Sequence, residues 1–241
     1  MSLVIFIMLP AIVAGIVHGV TGFGAGIIIM MFLPNLLPVT QSAGVSTIIC
    51  MLLVLSMVIK YRKHVNFKLI LPPFCLYIIT VSITILLSES INPTILKLIL
   101  GLFLIALSFY FLLISTDEKP QLNRLTSFLC VFISSICDGL FGIGGPLMVM
   151  YYLAKTDDRN EYLGNIQGFF MLNMFYSTAL RISQGIISTN HIQYILVGTV
   201  SILVGLIIAN KIIDHINPIT LKKSTYFLIG FSGLINILTA I

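Results

Sequence analysis

The 241-residue chain is 58% hydrophobic and only 9% charged, with a net charge of +5 and no Trp. A soluble domain carries a charged fraction of about 25%, so this composition excludes a water-covered globule and specifies an all-α integral membrane protein. The loops are too short to hold an extramembrane catalytic module.

Crossing hydrocarbon takes about 20 apolar residues per helix. Polar breaks divide the chain into about eight segments: 3–33 with an internal interruption, 39–59, 67–88, 94–115, 121–154 with a second interruption, 162–183, 192–210 and 219–240. The first begins MSLVIFIMLP, without a basic n-region, and its apolar run continues past any cleavage site, so it is read as a retained span rather than a signal peptide. Lys60, Arg62, Lys63 and Lys68 lie between the second and third segments. Flanked by lipid-embedded chain, they read as a cytoplasmic loop and not as a nucleic-acid patch. Cys50, Cys75, Cys130 and Cys137 fall inside spans without metal-ligand spacing and read as buried free thiols.

Features recur in order along the chain. HGVTGFGAG at 18–26 stands opposite DGLFGIGGP at 138–146, pairing Gly19, Gly22 and Gly24 with Gly139, Gly142 and Gly144 at an offset of 120. His64-Val65-Asn66-Phe67 resembles His191-Ile192-Gln193-Tyr194, and INPTILK at 91–97 resembles INPITLK at 216–222. The order argues for two four-segment membrane repeats, 1–116 and 117–241, forming one membrane domain. The Asn-Pro pairs suit helix starts, with Asn92 and Asn217 as caps.

The glycine stretches interrupt apolar runs that would otherwise stay helical. Each mid-helix glycine costs about 1 kcal/mol relative to alanine, and clusters invite unwinding. Gly15 and Gly19 also fit close helix packing, which needs no function. Unwound backbone at membrane depth is tolerated only against protein or a polar cavity, and paired broken helices in two repeats point to a transporter's central site. The N–H groups of residues 24–27 and 144–147, except Pro146, are expected to favour an anion. The expected substrate contacts are therefore Gly22, Gly24, Ala25, Gly26, Gly142, Gly144 and Gly145.

These residues also carry a family resemblance. The twin stretches GVTGFGAGIIIMMFLP at 19–34 and GLFGIGGPLMVMYYL at 139–153, each opening a four-helix repeat, resemble the TauE/SafE sulfite-exporter family, also called the toluene-sulfonate uptake permease family. The resemblance implies a multi-pass inner-membrane transporter of sulfur-containing anions such as sulfite, thiosulfate or organosulfonates. GIGGP departs from the longer glycine run commoner in that family.

Among the polar residues, Asp138 lies deep in a span, and its counterpart at offset 120 is His18. An intramembrane ionisable residue is a functional candidate by default, and a His18–Asp138 pair could carry a coupling proton or simply brace the two breaks. Aligning Gly44 with Gly168 places Gln41 opposite Asn165, and these amides join the expected substrate contacts because neutral donors avoid the cost of a buried lysine. Ser42, Ser46 and Thr47 are set aside as backbone-bonded. Arg181 could attract an anion but is expected instead to snorkel to the interface or pair locally, and Lys97 and Lys222 are expected to anchor at the interface.

Eight plain crossings would place Lys211, Lys222 and Lys223 across the membrane from the 60–68 loop, against the positive-inside bias. A re-entrant hairpin would change the parity and permit inverted repeats. No GxxxxGK[ST] motif, HxxxH pair or catalytic constellation occurs, so no cofactor, metal or catalytic residue is expected. The reading is a secondary transporter coupled to a proton or ion gradient, with a small sulfur-containing anion and the lipid bilayer as partners. Alternatives are a passive anion channel, a carrier of another metabolite and, further off, a membrane-embedded enzyme or scaffold subunit. A homo-oligomer stays open.

Overall fold

A computed structural model describes residues 4–113, 120–212 and 229–240, and every regular element among them is helical. After a π-helical turn at Val4–Met8 come α1 (Leu9–Thr21), α2 (Ala25–Phe32), α3 (Val39–Tyr61), α4 (Phe67–Ser88) and α5 (Pro93–Leu113). There follow α6 (Arg124–Phe141), α7 (Gly145–Lys155), α8 (Arg159–Ser183), α9 (Ile192–Ile212) and α10 (Ile229–Leu238). The second Asn-Pro pair, Lys222 and Lys223 lie outside the described residues.

Among the described residues, six helical stretches are long and apolar enough to cross a membrane: Val4–Thr21, Val39–His64, Phe67–Ser88, Pro93–Tyr110, Arg124–Phe141 and Thr189–Lys211. α8 is not among them although it has 25 residues. It is too polar, and the reason is its position: Asn165, Gln167, Asn173, Ser177 and Arg181 are all buried among the other helices rather than facing lipid.

Both glycine stretches break their helices. Gly22 ends α1 with φ 81°, and its N–H reaches back to the His18 carbonyl at 2.7 Å. Gly142 ends α6 in the same way, with φ 66° and a 2.7 Å bond to the Asp138 carbonyl. This left-handed conformation is one that side-chain-bearing residues avoid. After each break the chain doubles back. The turn Leu33–Asn35 that follows α2 packs against Val4–Met8, where the first span begins, and the Gly144 carbonyl accepts a bond from Ser134, more than a turn back along α6. The two interrupted segments are therefore hairpins, each a full-length helix followed by a shorter returning one.

Side-chain pairings set the helix directions. α1 and α9 run parallel, Gly15 lying against Ile202 and Gly19 against Ala209. α3 runs parallel to α9, with Ile49 against Gly198 and Lys60 near Asn210. α8 runs antiparallel to α3, since Gly44 meets Arg181 and Gly164 meets His64. α4 is parallel to α8, Ile70 meeting Gly168 and Ser82 bonding Tyr176, and α6 is parallel to α4, Ser134 lying by Tyr77 and Gly139 by Thr84. Thus α1 and α6, the two helices that end in glycine breaks, run in opposite directions. One face of the bundle then holds Lys60, Arg62, Lys63, Lys68, Arg124, Lys155, Arg159 and Lys211, while Lys97 and Arg181 belong to the other half. The hairpins thus bring Lys211 to the same face as the 60–68 loop, which eight plain crossings could not do.

Candidate functional site

The hairpin tips meet in the middle of the bundle. A cavity of about 50 Å³ is lined by His18, Gly24, Ala25 and Gly26 from the first hairpin and by Asp138, Gly142, Gly144 and Gly145 from the second. Cys50 of α3 and Phe170, Asn173 and Met174 of α8 close it. Such a volume holds about three to five water-sized spheres, the scale of a small oxyanion. The first turns of α2 and α7 both border it, and first-turn N–H groups have no partner within their own helix. Two positive dipole ends thus converge on one small space.

The two breaks differ in detail. Gly24 has φ 95°, but Gly144 has φ −92°, a conformation open to any residue. Glycine is required at 144 for space instead: a methyl group there would overlap the Tyr77 hydroxyl and come within 3.0 Å of the Asp138 Cβ. Tyr77 is held in place by donating to the Ser134 carbonyl at 3.4 Å.

α8 supplies a partner to each ionisable residue. The Gln167 Nε2 donates to the Gly22 carbonyl at 2.6 Å, while its Oε1 lies 3.3 Å from the His18 Nε2. The Asn173 Nδ2 donates to the Asp138 Oδ2 at 2.8 Å, and the Ser177 hydroxyl bonds the Asn173 Oδ1 at 3.1 Å. His18 and Asp138 thus line one cavity, each held by an amide of α8. His18 Nδ1 is buried without a hydrogen-bond partner.

Several expectations need correction. Arg181 pairs locally rather than snorkelling: it is 1% exposed, and its guanidinium donates to the carbonyls of Gly139 at 2.8 Å, Asp138 at 3.2 Å and Thr40 at 3.3 Å. It caps the end of α6, whose last carbonyls lack helical partners. Gln41 and Asn165 do not face each other. α3 and α8 are antiparallel, so these residues sit toward opposite ends of the bundle and outside the cavity lining. Gln41 accepts from the His191 Nε2 at 3.2 Å. Asn165 accepts from the Asn66 N–H at 2.8 Å and donates to the carbonyls of Glu161 and His64, tying down the basic loop. Gly22 also lies outside the lining, its carbonyl taken by Gln167. Gly22 packs on Leu163 and Gly142 on Ala43, two contacts whose corresponding members, Gly22 with Gly142 and Ala43 with Leu163, are 120 residues apart.

The sequence reading passed over Gln167, Asn173 and Arg181 as site residues. Their signal was a stripe, Gln167, Phe170, Asn173, Ser177 and Arg181, recurring at helical spacing along one face of α8. Among the described residues, no group of three His, Cys, Asp or Glu side chains converges to hold a metal.

A family model described as sulfite exporter TauE/SafE matches residues 7–235. No curated protein and no solved structure matches the chain.

Proposed function

Because the chain belongs to the sulfite exporter TauE/SafE family, a family of membrane transporters, we propose that it is a secondary transporter carrying small sulfur-containing anions, such as sulfite, thiosulfate or organosulfonates, across the inner membrane. The observation that carries this reading is the convergence of two oppositely directed helix N-termini on one buried cavity. Backbone N–H groups and dipole ends attract an oxyanion without burying a lysine. Gly24, Ala25, Gly26, Gly142, Gly144 and Gly145 contact the anion, while Gly22, Gln41 and Asn165 brace the frame. His18 and Asp138 couple transport to a proton gradient.

The protein works as two inverted four-segment repeats, each counted as one hairpin and three further helices, rocking about this site. In support, α1 packs on α9 as α6 packs on α4, and α3 packs on α8 at the centre. The basic face lies in the cytoplasm.

The test is a stability and counterflow screen of purified protein against sulfite, thiosulfate, sulfoacetate, taurine and sulfate. At least one should raise the melting temperature and exchange across proteoliposomes with saturation. Stabilisation by none of them, with a cation or neutral metabolite active instead, overturns the assignment. Flux without saturation or counter-transport would make the protein a channel.

A further inference from the structure

We propose that the cavity takes its anion together with one proton, and that this proton is bound at the Nδ1 atom of His18. The inference rests on the anion reading above and adds to it which atom carries the coupling charge.

Gly22 sets the orientation of the Gln167 amide. The Gly22 carbonyl oxygen can only accept, so the Gln167 atom 2.6 Å away must be the amide nitrogen. That fixes the Gln167 side chain with its Oε1 toward the His18 Nε2, 3.3 Å away. An amide oxygen has no hydrogen to give, so Nε2 carries the imidazole's hydrogen. Nδ1 is then a bare lone pair in the neutral ring, and it is the one His18 position that can gain a proton. It is buried without a partner, on a ring that is 3% exposed and lines the cavity.

The surroundings supply the reason for a proton. Asp138 lines the same cavity beside Gly144, where α7 starts, and its carboxylate takes the Asn173 amide. One of the two helix N-termini therefore already has an acidic side chain beside it. A second negative charge beside it, in a small space of low dielectric, is opposed unless a positive charge arrives with it. Arg181 lies outside the cavity lining and its positive charge is set against Asp138, which leaves the incoming anion without a counter-charge of its own. The other ionisable groups near His18 are Cys50 on α3, and Tyr162 and Arg159 on α8, the latter donating to the Val20 carbonyl. α9 presents Leu206 and Ala209 to this part of α1, and neither titrates. A proton taken from water onto Nδ1 turns the lone pair into an N–H donor. The anion then lies between that N–H and the free N–H groups that open α2, with no other bond made or broken.

The experiment measures binding of an aliphatic sulfonate, sulfoacetate, and of thiosulfate to the purified protein from pH 5 to 9. The sulfonate group and thiosulfate carry no proton across this range, so the pH dependence belongs to the protein. Affinity should fall about tenfold for each unit of rising pH once His18 is neutral, with about one proton taken up per anion in weakly buffered solution. His18→Gln keeps a donor toward Gln167 but has no second nitrogen. It should bind weakly at every pH, with no proton uptake, in a protein that elutes and melts like the wild type. Asp138→Asn removes the internal acid and should bind more tightly at high pH, while still taking up a proton with the anion at low pH.

Binding of either anion with a flat pH profile, or an unchanged slope in His18→Gln, overturns the proton site and leaves the anion reading standing. Loss of proton uptake in Asp138→Asn with its retention in His18→Gln moves the proton to the carboxylate and likewise overturns it. If neither anion binds at any pH to folded protein, the anion reading falls, and the proton site with it.

Discussion

Arg159 and Arg181 stand at the two ends of α8, and each holds the carbonyl end of a different glycine-broken helix. Arg159 donates to Val20 on α1 at 3.3 Å, and Arg181 to Asp138 and Gly139 on α6. Between them Gln167 and Asn173 reach His18 and Asp138, and Phe170, midway, lines the cavity. One helix therefore touches both halves of the site at mirrored positions.

The two arginines are not equal in weight. Arg181 is buried to 1% exposure while Arg159 is exposed. Of the three carbonyls Arg181 serves, that of Asp138 also takes the Gly142 N–H and that of Thr40 lies inside α3, so losing the donor strands the Gly139 carbonyl. Arg181→Gln should lower stability by about 1–3 kcal/mol, whereas Arg159→Gln should change it by less than about 1 kcal/mol. Thermal unfolding of the two variants in one detergent checks this; equal shifts would show that the Arg181 contacts contribute little.

Gly24 and Gly144 occupy matching places but resist substitution for different reasons. Gly24→Ala forces a side chain into the left-handed region, at about 1–2 kcal/mol, and no neighbour can relieve it. Gly144→Ala meets an oxygen, the Tyr77 hydroxyl. Adding Tyr77→Phe should restore part of the stability and uptake lost in Gly144→Ala, while doing nothing for Gly24→Ala. Equal behaviour of the two double variants would remove the distinction.

How far the sequence reaches can be judged from the same residues. The breaks at 22–24 and 142–144 were legible because glycine clusters weaken a helix wherever they occur, and α4 begins at Phe67 because Asn66 caps it, accepting from the Lys68 N–H at 3.0 Å. What glycine does not encode is where the chain goes next. Whether α2 continued outward or folded back depended on its contact with Val4–Met8, which is tertiary. Matching Gly44 to Gly168 rests on glycine alone, and both Gly164 and Gly168 are close-approach positions, on His64 and on Ile70, as Gly44 is on Ile187. For Arg181 the sequence left snorkelling and local pairing open, because an arginine near a helix end suits either, and only the neighbouring end of α6 decides for pairing.

The directions of the helices make the sidedness of the membrane testable. The residues 62–64 and the turn after α4 lie on opposite faces, and Lys63 and Ser90 are both exposed. With Cys75, the one exposed native cysteine, replaced by Ala, Ser90→Cys should react with a membrane-impermeant maleimide in intact cells. Lys63→Cys should react only after permeabilisation. Labelling of both from outside would break the assignment of the basic face to the cytoplasm.

The position of α8 makes a stronger demand on mechanism. If the hairpins moved independently, cutting the Gln167 contact to the first and the Asn173 contact to the second would act as separate faults. Their effects on the transport barrier would then add, as they do for uncoupled sites. If α8 moves both hairpins as one body, either cut alone already uncouples the step, and the second removes nothing further. Gln167→Leu and Asn173→Leu should each slow thiosulfate counterflow by tenfold or more, with the double variant close to the slower single one. Multiplication of the two losses in the double variant, in protein that retains its melting temperature, would mean that α8 braces the two tips without linking them.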